Sequence, residues 1–158
     1  MKSNKYAFRD IKNAKDKKDF LEFLRYQTTA EYGGNQIFDG RRSHLLHIPE
    51  ELLDFILFLK QHEKKTGKKI KRFLEIGYST GKTNTILNKF FNFEQIVAID
   101  NFSAHISNDD LWGNLSRKKL VLISGNSDQT HVINVTKKFS PFDLILIDGS
   151  HEFKDAKN

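Results

Sequence analysis

Nine residues in the middle of the chain, EIGYSTGKT at 75–83, carry side chains that three unrelated chemistries use. Gly77-Tyr78-Ser79-Thr80-Gly81 fits G-x-S-x-G, in which a serine on a strained turn attacks a carbonyl. Gly81-Lys82-Thr83 fits the end of a phosphate-binding P-loop. Glu75, followed by glycines at 77 and 81, fits a loop whose backbone passes close to a nucleoside. The surrounding elements must decide which residues face a ligand.

From residue 70 onward, four short apolar runs appear: RFLEIG, QIVAID, KLVLIS and FDLILID. Segments of helix length separate them, at about Thr80–Phe91, Ala104–Leu115 and Ser127–Phe139. Strands apolar on both faces that alternate with helices predict a parallel α/β sheet with right-handed crossovers. Upstream, Phe8 to about Tyr26 reads as a charged helix, followed by turn residues at Gly33-Gly34-Asn35 and Asp39-Gly40. A further helix is predicted from Pro49, with Glu50 and Glu51 at its positive end, to a C-cap at Gly67. That helix is apolar on most sides, so deep burial is expected.

Ligands of parallel sheets gather at the carboxyl ends of the strands. Those ends carry Glu75 and Gly77, then Asp100, then Gly125-Asn126-Ser127, and finally Asp148. A P-loop needs four residues between its glycines and has three here, and Glu75 and Asp100 would repel a polyphosphate. A serine hydrolase needs an acid and a histidine after Ser79. Asp128, Asp143, His131 and His151 are available, but the reading leaves Glu75 and Asp100 without a role. The nucleoside reading uses more residues, because an acid that ends the second strand binds ribose hydroxyls in such folds. Two carboxylates suit a ligand with positive centres, and S-adenosylmethionine carries a sulfonium and an ammonium.

FLEIGYSTGKTNTIL, IVAIDNF, LISGNSDQT and FDLILIDGSHEF together resemble class I S-adenosylmethionine-dependent methyltransferases. The nearest likeness is to the small-molecule O-methyltransferase group with an IDG-x-H fourth-strand motif, over about residues 44–158. The resemblance implies a Rossmann-like, doubly wound sheet of order 3-2-1-4 with an N-terminal helical extension (1–45) and a cofactor domain (46–158). Glu75, Gly77, Tyr78, Ser79 and Gly81 would hold the methionine end. Asp100 would bind ribose, with Asn101 and Phe102 beside the adenosine and Asn126 and Ser127 at the adenine. Many relatives carry Asp at the position of Asn126. Asp148 and His151 would face the methyl group and the acceptor, His151 as the base. In metal-dependent relatives an acid at the position of Asp148 ligates Mg2+. The implied activity is O-methylation of a small-molecule or sugar-like hydroxyl; the alternatives are a cofactor-binding module without catalysis and, after it, a P-loop-like nucleotide hydrolase.

Bland roles compete at several positions. Ser79, Thr80, Asn126 and Ser127 can serve as helix caps. Lys82 reads as solvent-exposed, and His44, His47, His62, His105 and His131 show no metal spacing. Trp112 reads as core.

Composition narrows the field further. The 158 residues suit one domain, and the absence of cysteine excludes disulfides and thiolate metal sites. Residues 1–30 are too charged for a signal peptide, and no run is long enough for a membrane span, so a cytoplasmic protein is expected. The net charge of +6 comes from 20 Lys and 6 Arg spread along the chain, which disfavours nucleic-acid binding. Class I methyltransferases normally have seven strands, whereas four are read here. The fourth strand then has an apolar edge that calls for a C-terminal segment or a second copy as its cover. Tyr32 and Phe38 are expected in a lid over the cofactor.

Overall fold

The computed structural model describes residues 11–24, 48–79, 81–102 and 119–149. Its elements are α1 (Ala14–Glu22), α2 (Pro49–Thr66), β1 (Arg72–Ile76), α3 (Lys82–Phe90), β2 (Gln95–Asp100), β3 (Leu120–Ser124), α4 (Thr130–Lys137) and β4 (Leu144–Ile147). The four strands form one parallel sheet of order β3-β2-β1-β4. This is the α/β Rossmann-like architecture expected from the sequence. Strand order reverses beside β1, so the crevice between the exits of β1 and β4 is the topological switch point.

Helices cover both faces. Ile86 and Leu87 of α3 pack with Phe20, Leu52, Ile56, Phe73, Ile96 and Ala98 in one cluster. Val132 of α4 packs with Leu74, Val97, Ile99 and Ile123 in the other. Alternation along each strand sends Phe73 and Glu75 toward α3, and Leu74 and Ile76 toward α4. A phenylalanine chain runs through the first cluster: Phe73 and Phe93 stack at 5.1 Å, and Phe91 and Phe93 at 6.0 Å. Phe20 of α1 meets Phe90 edge-on at 5.3 Å.

Two expectations need correction. Helix α2 is not buried on most sides: Leu52, Leu53, Ile56 and Leu59 face inward, but Phe58 is 63% exposed. Likewise β4 is not apolar-covered on both faces, since Ile145 and Ile147 are 54% and 73% exposed while Leu144 and Leu146 pack on the first cluster. Both segments are apolar all round in sequence, but only the face that joins the first cluster finds a partner among the described residues.

The amino-terminal edge of the sheet is tied by one carboxylate. Asp143 Oδ2 accepts from the Lys71 and Arg72 N–H groups, both at 2.9 Å, and its own N–H donates to Arg72 O at 2.8 Å. This sets β4 in register with β1. Asp143→Ala should cost about 1–2 kcal/mol, two net hydrogen bonds, and Asp143→Asn about half as much. Thermal unfolding of both variants checks this, and equal melting temperatures for all three proteins would remove Asp143 from the account.

Candidate functional site

The glycine loop leaves β1 at Ile76 and enters α3 at Lys82. Gly77 (φ +97°) donates its N–H to Ile99 O at 2.8 Å, and Gly81 (φ +78°) donates to Tyr78 O at 2.8 Å. Gly81 itself is the N-cap of α3, with no side-chain capping bond. The expectation that Ser79 and Thr80 cap the helix is therefore not met by Ser79, and Thr80 lies outside the described residues. Tyr78 turns inward. It is 3% exposed, and its hydroxyl fills the space beneath Gly81, where a Cβ would come within 2.2 Å of it. Burial raises the Tyr78 hydroxyl well above its ordinary value, and the neighbouring Glu75 carboxyl adds to the rise. The Lys82 side chain lies outside the described residues.

Asp100, at the end of β2, holds two loops at once. Its Oδ2 accepts from Ser79 N–H at 2.7 Å and its Oδ1 from Phe102 N–H at 2.7 Å. Ser79 (φ +48°) and Phe102 (φ +51°) are also the two non-glycine residues with left-handed backbone among those described. That conformation costs about 1 kcal/mol per residue, and charge-assisted bonds to one carboxylate offset it. Each oxygen keeps a further lone pair for a ligand hydroxyl.

Beside it, Asn101 Nδ2 donates to Asn126 Oδ1 at 3.1 Å and joins the exits of β2 and β3. Gln129 Oε1 accepts from Asn126 N–H at 3.0 Å. Helix α4 starts at Thr130 with Gln129 as N-cap, so Asn126 and Ser127 stand in the preceding turn and do not cap it. Both are exposed. Gln129 was not singled out from the sequence; its signal is its place three residues after Asn126.

Glu75 lies at the centre and is 1% exposed. Burial pushes its carboxyl well above the usual range; the hydrogen bond from Asn84 Nδ2 opposes this, and the charges of Asp148 and Asp100 add to the rise. Asn84, on the first turn of α3, is fully buried, and its Oδ1 has no hydrogen-bond partner. The sequence reading missed Asn84. In KTNTIL it looks like a polar position on a short helix, and only a helix start at Lys82 turns it toward the sheet.

The carboxylate of Asp148 stands within electrostatic reach of Glu75, where β4 ends, and its N–H donates to Ile76 O at 2.7 Å. Gly77 packs directly on this segment. His151, the expected base, lies outside the described residues, as do Tyr32, Phe38, Trp112, His44, His47, His105 and the expected helix near 104–115.

The described residues fit a cationic nucleoside. A carboxylate with free lone pairs stands at the end of β2, the glycine loop brings backbone close, and the charges around Glu75 are negative. Among the described residues, no three His, Cys, Asp or Glu side chains converge to hold a metal. No described helix is long and apolar enough to cross a membrane.

No family model matches the chain, and no curated protein does. Among solved structures it is similar to MycE, a methyltransferase from the mycinamycin biosynthetic pathway in complex with Mg and SAH, with 19% identity and a TM-score of 0.41. The match covers 68% of this chain and 29% of that one, so the chain spans under a third of that neighbour's length. The Rossmann-like assignment rests on the strand order and the helices on both faces of the sheet.

Proposed function

We propose that the chain binds S-adenosylmethionine at the exits of β1, β2 and β3, and acts in methyl transfer to a hydroxyl of a small-molecule acceptor. One observation carries the reading: both charges that act on the buried Glu75, those of Asp148 and Asp100, are negative. A site of that sign repels a polyphosphate and attracts a sulfonium or ammonium. Asp100 holds the ribose hydroxyl pair, while Asn101, Phe102, Asn126 and Ser127 flank the base. When bound, the cofactor supplies the activated methyl group. The chain orients the acceptor, and His151, three residues after Asp148, takes the hydroxyl proton, a task suited to an imidazole that titrates near neutral pH.

Thermal unfolding with S-adenosylhomocysteine, and separately with ATP plus Mg2+, tests this. Saturation at a hundredfold the dissociation constant should add about 2.7 kcal/mol, a shift of several degrees. Asp100→Ala should abolish the shift, because it removes the ribose acceptor and releases Ser79 and Phe102 together. A shift with ATP alone would reject the methyltransferase reading.

A second reading has one observation in its favour. The left-handed backbone of Ser79 is also what a nucleophile elbow requires. Ser79→Ala separates the two. It should leave the S-adenosylhomocysteine shift intact, because Asp100 uses the Ser79 N–H and not its hydroxyl, whereas a hydrolase would lose all ester cleavage.

A further inference from the structure

A cleft of about 160 Å³ opens between α2, α3 and β4, lined by Glu51, Leu52, Phe55, Thr83 and Leu146. It borders the site already described. Leu146 is in register with Glu75 across β1 and β4, and Thr83 precedes Asn84, whose amide holds the Glu75 carboxyl. Thr83, Glu51 and Leu52 belong to the first turns of α3 and α2, with Phe55 one turn further along α2, and these helices begin at the carboxyl side of the sheet, where ligands of parallel sheets gather.

From this cleft we infer that the acceptor is a single apolar ring, neutral or cationic, whose ring lies between Phe55, Leu52 and Leu146 and whose polar substituent meets the Thr83 hydroxyl. Only its role as methyl acceptor rests on the methyltransferase reading. Size supports it, since a volume of about 150 Å³ is enough to hold one benzene-sized ring. Lining supports it too. A sugar in this cleft would leave hydroxyls without partners against Leu52, Phe55 and Leu146, each at a desolvation cost. Charge completes the argument: the exposed Glu51 carboxylate at the rim and the acids at the strand exits disfavour an anionic acceptor.

The test is methyl NMR on the full chain, titrated with phenol, benzylamine, benzoate and glucose without cofactor. Phenol and benzylamine should shift the Leu52, Thr83 and Leu146 methyl signals saturably, and glucose should not. Benzoate should bind about tenfold more weakly than benzylamine, and Glu51→Gln should narrow that gap. Leu146→Trp, which fills the cleft, should abolish the phenol shifts yet keep the thermal stabilisation by S-adenosylhomocysteine. The inference is overturned if phenol leaves these methyls unmoved, if glucose moves them equally, or if benzoate matches benzylamine. Phenol binding without S-adenosylhomocysteine stabilisation keeps the ring site and removes the methyltransferase reading; the reverse result removes the ring site alone.

Discussion

Glu75→Gln should make the ligand-free protein more stable at neutral pH and weaken its hold on a cationic ligand. The wild-type carboxyl is buried among other acids, so it keeps its proton in the fold to a pH well above its ordinary value of 4.5. In the unfolded chain it ionises near that ordinary value. Above it, the native state binds more protons than the unfolded state, and stability falls as pH rises. The loss runs at up to about 1.4 kcal/mol per pH unit until the folded-state value is reached, and then stops. Glutamine has nearly the same shape and does not ionise, so this slope should vanish. Like the protonated carboxyl, its carboxamide has a hydrogen to offer Asn84 Oδ1, so the exchange keeps the pairing open to that buried atom. Denaturant unfolding from pH 5 to 9 reads the effect. The wild type should lose stability across the range relative to the variant, with the two nearest at pH 5. Parallel curves would mean that Glu75 ionises in the fold as it does in the unfolded chain. A cation bound beside Glu75 would favour its ionised form, which glutamine cannot supply, so S-adenosylmethionine should lose more affinity than S-adenosylhomocysteine in this variant, because only the former carries the sulfonium. A site that gains stability when its acid is removed keeps the acid for a ligand.

The same residue shows what could be read in the sequence. The four strands were legible because each is a short apolar run bounded by polar residues or glycine, and the alternation with helices dictates a parallel sheet. Glu75, Asp100 and Asp148 were legible as strand-end acids, since that position alone places them at the ligand side. The depth of Glu75 was not legible. It depends on Tyr78 turning beneath Gly81 and on Asn84 turning inward, and both follow from α3 starting at Lys82 and not at Thr80. Two residues of displacement at a helix start rotate the helix by more than half a turn, which decides which polar side chain faces the sheet. The second role of Asp100 was hidden for a related reason. Two left-handed residues, Ser79 and Phe102, share its carboxylate, and neither is a residue type that announces that backbone. The one-sided exposure of α2 and β4 was hidden because apolar composition sets what a segment can bury, while neighbours set what it does bury.

The other large effect is expected at Gly77, and Gly67 provides its control. Both glycines have left-handed backbone, with φ of +97° and +70°. A Cβ at Gly67 would meet nothing within 4 Å, so Gly67→Ala should cost only the conformational penalty, about 1 kcal/mol. A Cβ at Gly77 would sit 2.0 Å from Asp148 O and 2.8 Å from Gly149 N. Both are backbone atoms of the segment leaving β4, held there by the Asp148 N–H bond to Ile76 O, so no side chain can rotate away to make room. Gly77→Ala should therefore add about 1–3 kcal/mol of overpacking to the same conformational penalty. At 2–4 °C per kcal/mol for a chain of this size, Gly67→Ala should melt about 3 °C below wild type and Gly77→Ala about 9 °C below. The clash also has a direction. It pushes Asp148 away from the glycine loop and from Glu75, so S-adenosylhomocysteine should lose affinity in Gly77→Ala even at temperatures where the variant is fully folded. Gly67, at the far end of α2, has no such path to the site, and Gly67→Ala should bind as wild type does. Equal melting temperatures for the two variants would show that the exits of β1 and β4 do not press together at Gly77, and the crevice built on that contact would have to be redrawn.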